Sequence, residues 1–423
     1  MRVSLSHKMV GRRNFCTGAA AFALTGCHAL CGVESAGTKC LWKRGHFQIH
    51  QIYTGTGESL FLIFPDGTTL LLDCGDGNPH TFMAGKYGDK SVPIPQEGRY
   101  SGGEAVARYV ARVSPRGTDI DYLLLTHFHG DHSDGFARAA DTLRFHRAID
   151  RGWPSYDDPL PYPKDPKWMG GSLTEMRKLY ARLAERDGLV VEKFRVGGRD
   201  QLRMLHEPSA FPDFSVFNLC GNGKIALQDG SVFDCYAGLA KTRKECTFNE
   251  NGMSCGNIFS YGKFRFYSAG DFSDGKMHTV FNGVKMRIEK ALSFAVGPVS
   301  VAKADHHACW GNPAELIAAL RPKVWTIPVW WQLHATRQVM NNFASRKVYP
   351  GERMILPGVL CAERRTEDAG NPYLASVPEA VHTPSHIVID VPPGGETFKV
   401  ACLDPAKESL RVKALWSFVA TSQ

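Results

Sequence analysis

Thr126-His127-Phe128-His129-Gly130-Asp131-His132-Ser133-Asp134-Gly135 follows directly on Tyr122-Leu123-Leu124-Leu125, a short apolar run with Asp121 in front of it. Apolar residues entering a glycine-containing turn read as a buried strand that ends at His127. Gly130 allows the backbone to turn tightly there. Four ligand-type side chains, His127, His129, Asp131 and His132, fall within six residues. Neutral imidazoles and a carboxylate suit a borderline divalent cation such as zinc. One histidine at a strand end is commonly a core or surface residue. The spacing H-x-H-x-D-H has no comparably bland reading.

The chain around this stretch supplies strands in a definite order. Residues 47–53 alternate like a half-buried strand. Residues 58–64 and 68–73 flank Pro65-Asp66-Gly67 and predict a hairpin, with Asp73 where its second strand runs out. Residues 104–113 have helical spacing and lead to the Tyr122 run. Beyond the signature, 136–143 read as a helix and 144–149 as a strand. Residues 152–168 turn rich in Pro, Asp and aromatics, which predicts either a loop at the mouth of a site or a packed surface loop. A helix follows from Ser172 to about Arg186, with Glu175 completing a capping box. Residues 201–206 read as a strand ending in His206, and 210–255, with little periodicity, as an insertion. A second hairpin, 257–261 and 264–268, leads into Ala269-Gly270-Asp271. Residues 299–304 form a short strand ending in Asp305-His306-His307. A helix over 312–320, a buried strand over 324–329 and a loop carrying His334 come next. Two last strands, 385–391 and 397–403, are separated by Pro392-Pro393-Gly394-Gly395.

The signature resembles that of the metallo-β-lactamase superfamily. The second half is similar to the β-lactamase-like domain of the DNA-uptake protein ComEC, in which a strand ending in His-His-Gly precedes a helix and a strand; here Ala308 stands in place of that glycine. Over about residues 46–360 the resemblance implies an α/β (α+β) fold, a four-layer αβ/βα sandwich of two mixed β-sheets flanked by helices. It implies two divalent metal ions, Zn2+ first, with Mn2+ or Fe as alternatives. His127 and His129 would bind one ion, Asp131 and His132 the other, and Asp271 would bridge both. One of His306 and His307 would complete the second ion, and position does not choose between them. Asp73 would support a bound residue from behind. The third ligand of the first ion stays open between Asp150 and His206, with His146 slightly behind. Asp131, Asp271 and His334 are the residues implied for catalysis, His334 as a hydrogen-bond donor to the reacting group.

Length and composition bound the rest. A chain of 423 residues with 43% hydrophobic and 22% charged residues can bury a large core. The formal charge of +8 is scattered, with no run of five basic residues; it suits an anionic substrate, small or polymeric, and equally a solvated face. No motif that grips single strands is present, so nucleic acid is a candidate without one. The twelve cysteines form no C-x-x-C pair; export would permit disulfides, whose pairing the sequence does not give. Arg12-Arg13-Asn14-Phe15 precedes a short Ala-rich apolar segment, like a twin-arginine export signal. Leu24-Thr25-Gly26-Cys27 resembles a lipobox that would lipidate Cys27. The expected organisation is an export signal over 1–27, a linker over 28–45, a hydrolase domain over 46–403 with an insertion at about 150–255, and a tail over 404–423. The protein is therefore expected to be exported to the periplasm or cell envelope, touching membrane only through a lipid anchor. The expected activity is two-metal hydrolysis of an ester, a phosphodiester first. A lactone or amide hydrolase, or a non-catalytic metal-binding envelope lipoprotein, are the alternatives. An Asp rather than a Cys at position 271 argues against antibiotic hydrolysis.

Overall fold

The computed structural model describes residues 41–77, 92, 100–159, 172–238, 246–247, 249–274, 280–281, 284–360 and 383–421. The export signal with Cys27, most of the linker and the larger part of the aromatic loop lie outside the described residues. All described residues belong to one compact unit, Val33–Gln423.

Strands β1 (Phe47–Gln51), β2 (Leu60–Ile63), β3 (Thr69–Leu72), β4 (Asp119–Leu124), β5 (Arg144–Asp150) and β6 (Val190–Lys193) form most of a first sheet. β1 to β3 run antiparallel, and β3 to β6 run parallel. Parallel strands need crossovers, which cover the sheet and bury both strand faces. This is why Tyr122-Leu123-Leu124 reads as an unbroken apolar run. The helix Gly102–Val113 makes the crossover into β4, and Ser101 caps it by accepting from the Glu104 amide. Its Val106, Val110 and Val113 face the sheet at helical spacing.

The second sheet uses β7 (Phe214–Gly221), β8 (Lys224–Ala226), β9 (Val232–Asp234), β11 (Gly256–Tyr261), β12 (Phe264–Ala269), β15 (Val301–Lys303), β16 (Val324–Thr326) and β17 (Met354–Leu356). β10 (Cys246–Thr247), β13 (Val280–Phe281) and β14 (Val284–Lys285) form a small ladder of their own. β18 (His386–Val391), β19 (Thr397–Leu403) and β20 (Val412–Val419) return to the first sheet beside β1. One apolar core lies between the sheets, where Phe47 meets Phe214 at 5.1 Å. On the far side of the second sheet, Trp325 stacks on Phe343 of the helix Arg337–Ala344 at 4.2 Å. The result is two mixed sheets with flanking helices, the architecture that the resemblance implied.

Several expectations are corrected. Residues 150–255 supply β6 to β9, integral strands of both sheets, rather than an insertion. The tail over 404–423 contains β20, an edge strand. Residues 201–206 form no strand, and the helix after the signature is a single turn, Phe136–Ala139. Ser172 does begin a helix, Ser172–Asp187, and its hydroxyl donates to Asp134. Six described cysteines, Cys74, Cys220, Cys235, Cys255, Cys309 and Cys402, are free thiols. Among the described residues no helix is long and apolar enough to cross a membrane.

Behind β1 a pair of buried histidines creates an acid sensitivity. His50 and His386 are both lowered to about 3, each by burial first, and His50 also by the nearby His386. An unfolded chain takes up these protons near pH 6.5, so the stability they lend is complete above that pH and is lost as pH falls toward 3. We expect a loss on the order of 2 kcal/mol per histidine between pH 7 and pH 5. Urea denaturation at the two pH values measures it, and His386→Gln removes its share of the slope. A stability unchanged between them contradicts this reading.

Candidate metal centre

The strands deliver polar side chains to one edge of the sandwich. β4 runs out into the signature, β12 into Gly270-Asp271, and the parallel β15 into Asp305-His306-His307. The Cys255 amide donates to the Thr126 carbonyl and the Glu58 amide to the Asp131 carbonyl, which fastens the two sheets and the β2 entry together there. The approach is close enough to require glycine: a Cβ at Gly75 would stand 1.7 Å from the Asp131 carbonyl oxygen.

Asp271 is the centre of the arrangement. Its Oδ2 lies 3.1 Å from His132 Nε2, 3.3 Å from His307 Nε2, and 3.9 Å from both His127 Nε2 and His306 Nε2. Asp131 Oδ2 lies 3.1 Å from His307 Nε2 and 3.8 Å from His132 Nε2. His129 Nδ1 is 3.2 Å from His127 Nε2. Glu58, His132, Asp271 and His307 each offer a ligand atom within 4.8 Å of all the others.

The opposite ring nitrogens are tied back. His132 Nδ1 faces Asp73 Oδ2 at 2.8 Å, and Asp73 also accepts from the Thr126 amide and hydroxyl. His307 Nδ1 faces the Pro328 carbonyl at 3.0 Å, and His306 Nδ1 the Ser273 hydroxyl at 3.0 Å. These partners leave the Nε2 lone pairs facing inward, as metal ligation requires. His306, His307 and Ala308 are all left-handed, with φ of 49°, 51° and 59°. A glycine would adopt this conformation freely, so the Ala308 side chain costs strain there.

Divalent cations fit this donor set. Asp271 Oδ1 is buried without a hydrogen-bond partner, a costly condition that a cation relieves. Burial disfavours the charged form of Asp271, yet His132, His307 and His306 outweigh it and hold the carboxyl well below its usual range. Burial likewise lowers His132, but Asp271, Asp131 and Asp73 hold it well above. In the metal-free protein His307 is pushed up to about 9, burial being overcome by Asp271, Asp131 and Glu58. A cation must displace that proton. Its apparent affinity is therefore expected to weaken by roughly tenfold per pH unit below pH 9 for this one site. Calorimetric titration with Zn2+ in buffers of different ionisation enthalpy counts the released protons; an affinity independent of pH contradicts the assignment.

Two of the other candidates sit elsewhere. His206 Nε2 lies 3.3 Å from Asp121 Oδ2, at the start of β4 and away from the signature at its end. His146 lies on the surface beside Asp119. Asp150 is close by, at the end of β5, but is consumed by local structure: it accepts from the Gly152 and Trp153 amides and from the Tyr156 hydroxyl. In the described part of the aromatic loop, Trp153 packs on Tyr180 and Tyr156 on Phe128, so these rings serve the fold. His334 stacks on His307, with centroids 4.5 Å apart at 19°. Its Nδ1 accepts from the Trp331 amide at 3.3 Å, which leaves the proton on Nε2. Burial first, then His307 and His306, hold it well below its usual range, so it is a neutral donor.

Sequence reasoning missed Glu58 and Lys303, both wholly buried, with Lys303 Nζ 2.9 Å from Glu58 Oε1. A lysine inside the otherwise apolar Val301-Ala302-Lys303 strand was the signal, since a buried ammonium needs a buried partner.

Residues 53–210 match the metallo-beta-lactamase superfamily. No curated protein matches the chain. Among solved structures, a glutamate-to-aspartate variant of the CmlA beta-hydroxylase is 14% identical with a TM-score of 0.35, covering 73% of this chain and 52% of that one. CmlA, a diiron beta-hydroxylase from Streptomyces venezuelae, is 14% identical with a TM-score of 0.34 over the same shares. A metallo-beta-lactamase motif mutant from Cronobacter sakazakii is 16% identical with a TM-score of 0.22, covering 44% of this chain and 58% of that one. The chain thus spans about half the length of the solved structures it matches. Residues 53–210, less than half of the chain, thus resemble this superfamily, and the cluster described above is suited to divalent metals.

Proposed function

We propose that the protein is an exported two-metal hydrolase of the metallo-β-lactamase superfamily that cleaves an ester, with a phosphodiester as the favoured substrate. The observation that carries the proposal is the convergence of four imidazole Nε2 atoms on one carboxylate oxygen of Asp271, whose second oxygen is buried and unpartnered. A closed structural zinc site uses four protein ligands. More ligand-type residues than that meet here, and Asp131, partly exposed, marks the open side.

Two divalent cations, when bound, supply a water acidified toward neutrality and neutralise charge developing on the substrate. His127, His129, Asp131, His132, Asp271, His306 and His307 are the residues that would hold them. Asp73 and the Pro328 carbonyl fix the tautomers of His132 and His307. His334, a neutral Nε2–H donor beside His307, is suited to hydrogen-bond the reacting or leaving oxygen. A cavity of about 350 Å³ is lined by Arg151, Lys193, Arg195 and Lys224 with Asp158, which pairs both lysines, and no residue of the signature lines it. The basic balance of the chain and the ComEC-like pattern of the second half support an anionic substrate. Residues 1–27 support export and an anchor at Cys27.

A panel of bis-aryl phosphodiesters, neutral aryl esters, lactones and nuclease substrates, run with and without chelator, tests the proposal. Chelator-sensitive cleavage of the phosphodiesters is expected. Cleavage of neutral esters or lactones alone would overturn the substrate class, and no chelator-sensitive cleavage would overturn the hydrolase.

A further inference from the structure

We propose that Lys303 and Glu58 are a positioning pair that holds the two halves of the metal centre in register, an inference that rests on the two-metal reading above. Lys303 closes β15, a strand with no exposed residue. Its ammonium lies 2.9 Å from Glu58 Oε1 and donates to Glu58 Oε2 at 3.2 Å. It also donates to the carbonyls of Gly270 at 3.3 Å and Ala304 at 3.2 Å. Gly270 precedes Asp271, and Ala304 precedes the Asp305-His306-His307 turn. Glu58 in turn reaches the other side. Its amide donates to the Asp131 carbonyl at 2.8 Å, and its Oε2 stands 3.5 Å from His307 Nδ1. One buried ion pair thereby touches the segments that carry Asp131, Asp271 and His307.

Stability alone does not account for such a pair. A buried ion pair loses its hydration on both sides, and apolar residues of similar volume often serve a fold as well or better. What apolar residues cannot do is donate to two carbonyls and a carboxylate from a single point. Lys303 uses that capacity to set the spacing between the Asp271 turn and the histidine turn. Glu58 supports His307 from the side away from Asp271, as Asp73 supports His132. Both residues act through the ligands rather than on the substrate.

The test uses the full chain and Co2+ alone as the probe. Glu58→Gln, Lys303→Met and the double variant are titrated with Co2+, and visible absorption reports the geometry around the ion. Replacing such outer-shell partners typically weakens metal affinity about 10–100-fold. The double variant, which leaves no unpaired charge, is expected to melt close to the wild type yet to bind at least one Co2+ about 10–100-fold more weakly, with an altered spectrum. Glu58→Gln keeps an acceptor for Lys303 and gives the same readout should the double variant not fold. Wild-type Co2+ affinity and spectrum in a folded variant would overturn the positioning role and leave the metal site standing. A wild-type protein that binds no Co2+ would overturn the two-metal reading itself and this inference with it.

Discussion

Asp271→Ala is expected to lower kcat/KM by about 10³-fold or more on whichever substrate the protein turns over, with the fold intact. The size follows from the several kcal/mol of charge stabilisation that cations contribute to such reactions, since about 4 kcal/mol corresponds to a thousandfold in rate. The Asp271 amide donates to the Ser254 hydroxyl, and that bond survives the substitution. What is lost is the one oxygen that faces His127, His132, His306 and His307 together. The four imidazoles then face one another without the charge that holds them, and cation content should fall with activity. Asp271→Asn keeps the volume and removes the charge, so it separates packing from electrostatics. Full turnover in Asp271→Ala would mean that the carboxylate does not bridge.

Arg151→Met is expected to produce the largest loss of stability, about 3–5 kcal/mol, because it strands a buried charge. Arg151 and Glu250 are both inaccessible to solvent, and the guanidinium donates to both Glu250 oxygens, at 2.8 Å from Nη2 to Oε2. Glu250 also accepts from the Phe128 amide at 3.1 Å, between the two histidines of the signature. Urea denaturation of Arg151→Met measures the loss. The pair Arg151→Met with Glu250→Gln should recover most of it, since no buried charge then lacks a partner. A loss below about 1 kcal/mol would mean that water reaches Glu250.

Much of this centre was legible in the chain because its ligands are concentrated. His127, His129, Asp131 and His132 share a few residues after an apolar strand, and the two faces of that strand are buried as its unbroken apolar run implied. Asp271 and the His306-His307 pair were legible through order, each at the end of a short strand following a hairpin or turn. The arrangement of the two histidines was not, because both lie in one left-handed turn that faces His307 to Asp271 at 3.3 Å and His306 at 3.9 Å.

Lys303 in its apolar strand announces that a buried partner exists, but nothing local in either segment says that the partner is Glu58, 245 residues away. His206 was misjudged because residues 201–206 were read as a strand that would carry it toward the site. Its amide is instead held by Asp66, and its ring turns to the far end of β4. β20 escaped notice because its residues are half exposed on both faces, which blurs the alternation that marks a strand.

The most direct test of the account is the metal content of the purified full-length protein, measured by elemental analysis after exhaustive dialysis against metal-free buffer. Two equivalents of a divalent transition metal per chain are expected, falling below two in Asp271→Ala. A wild-type protein that holds no metal, and takes up none when zinc, manganese or iron is supplied, would contradict it.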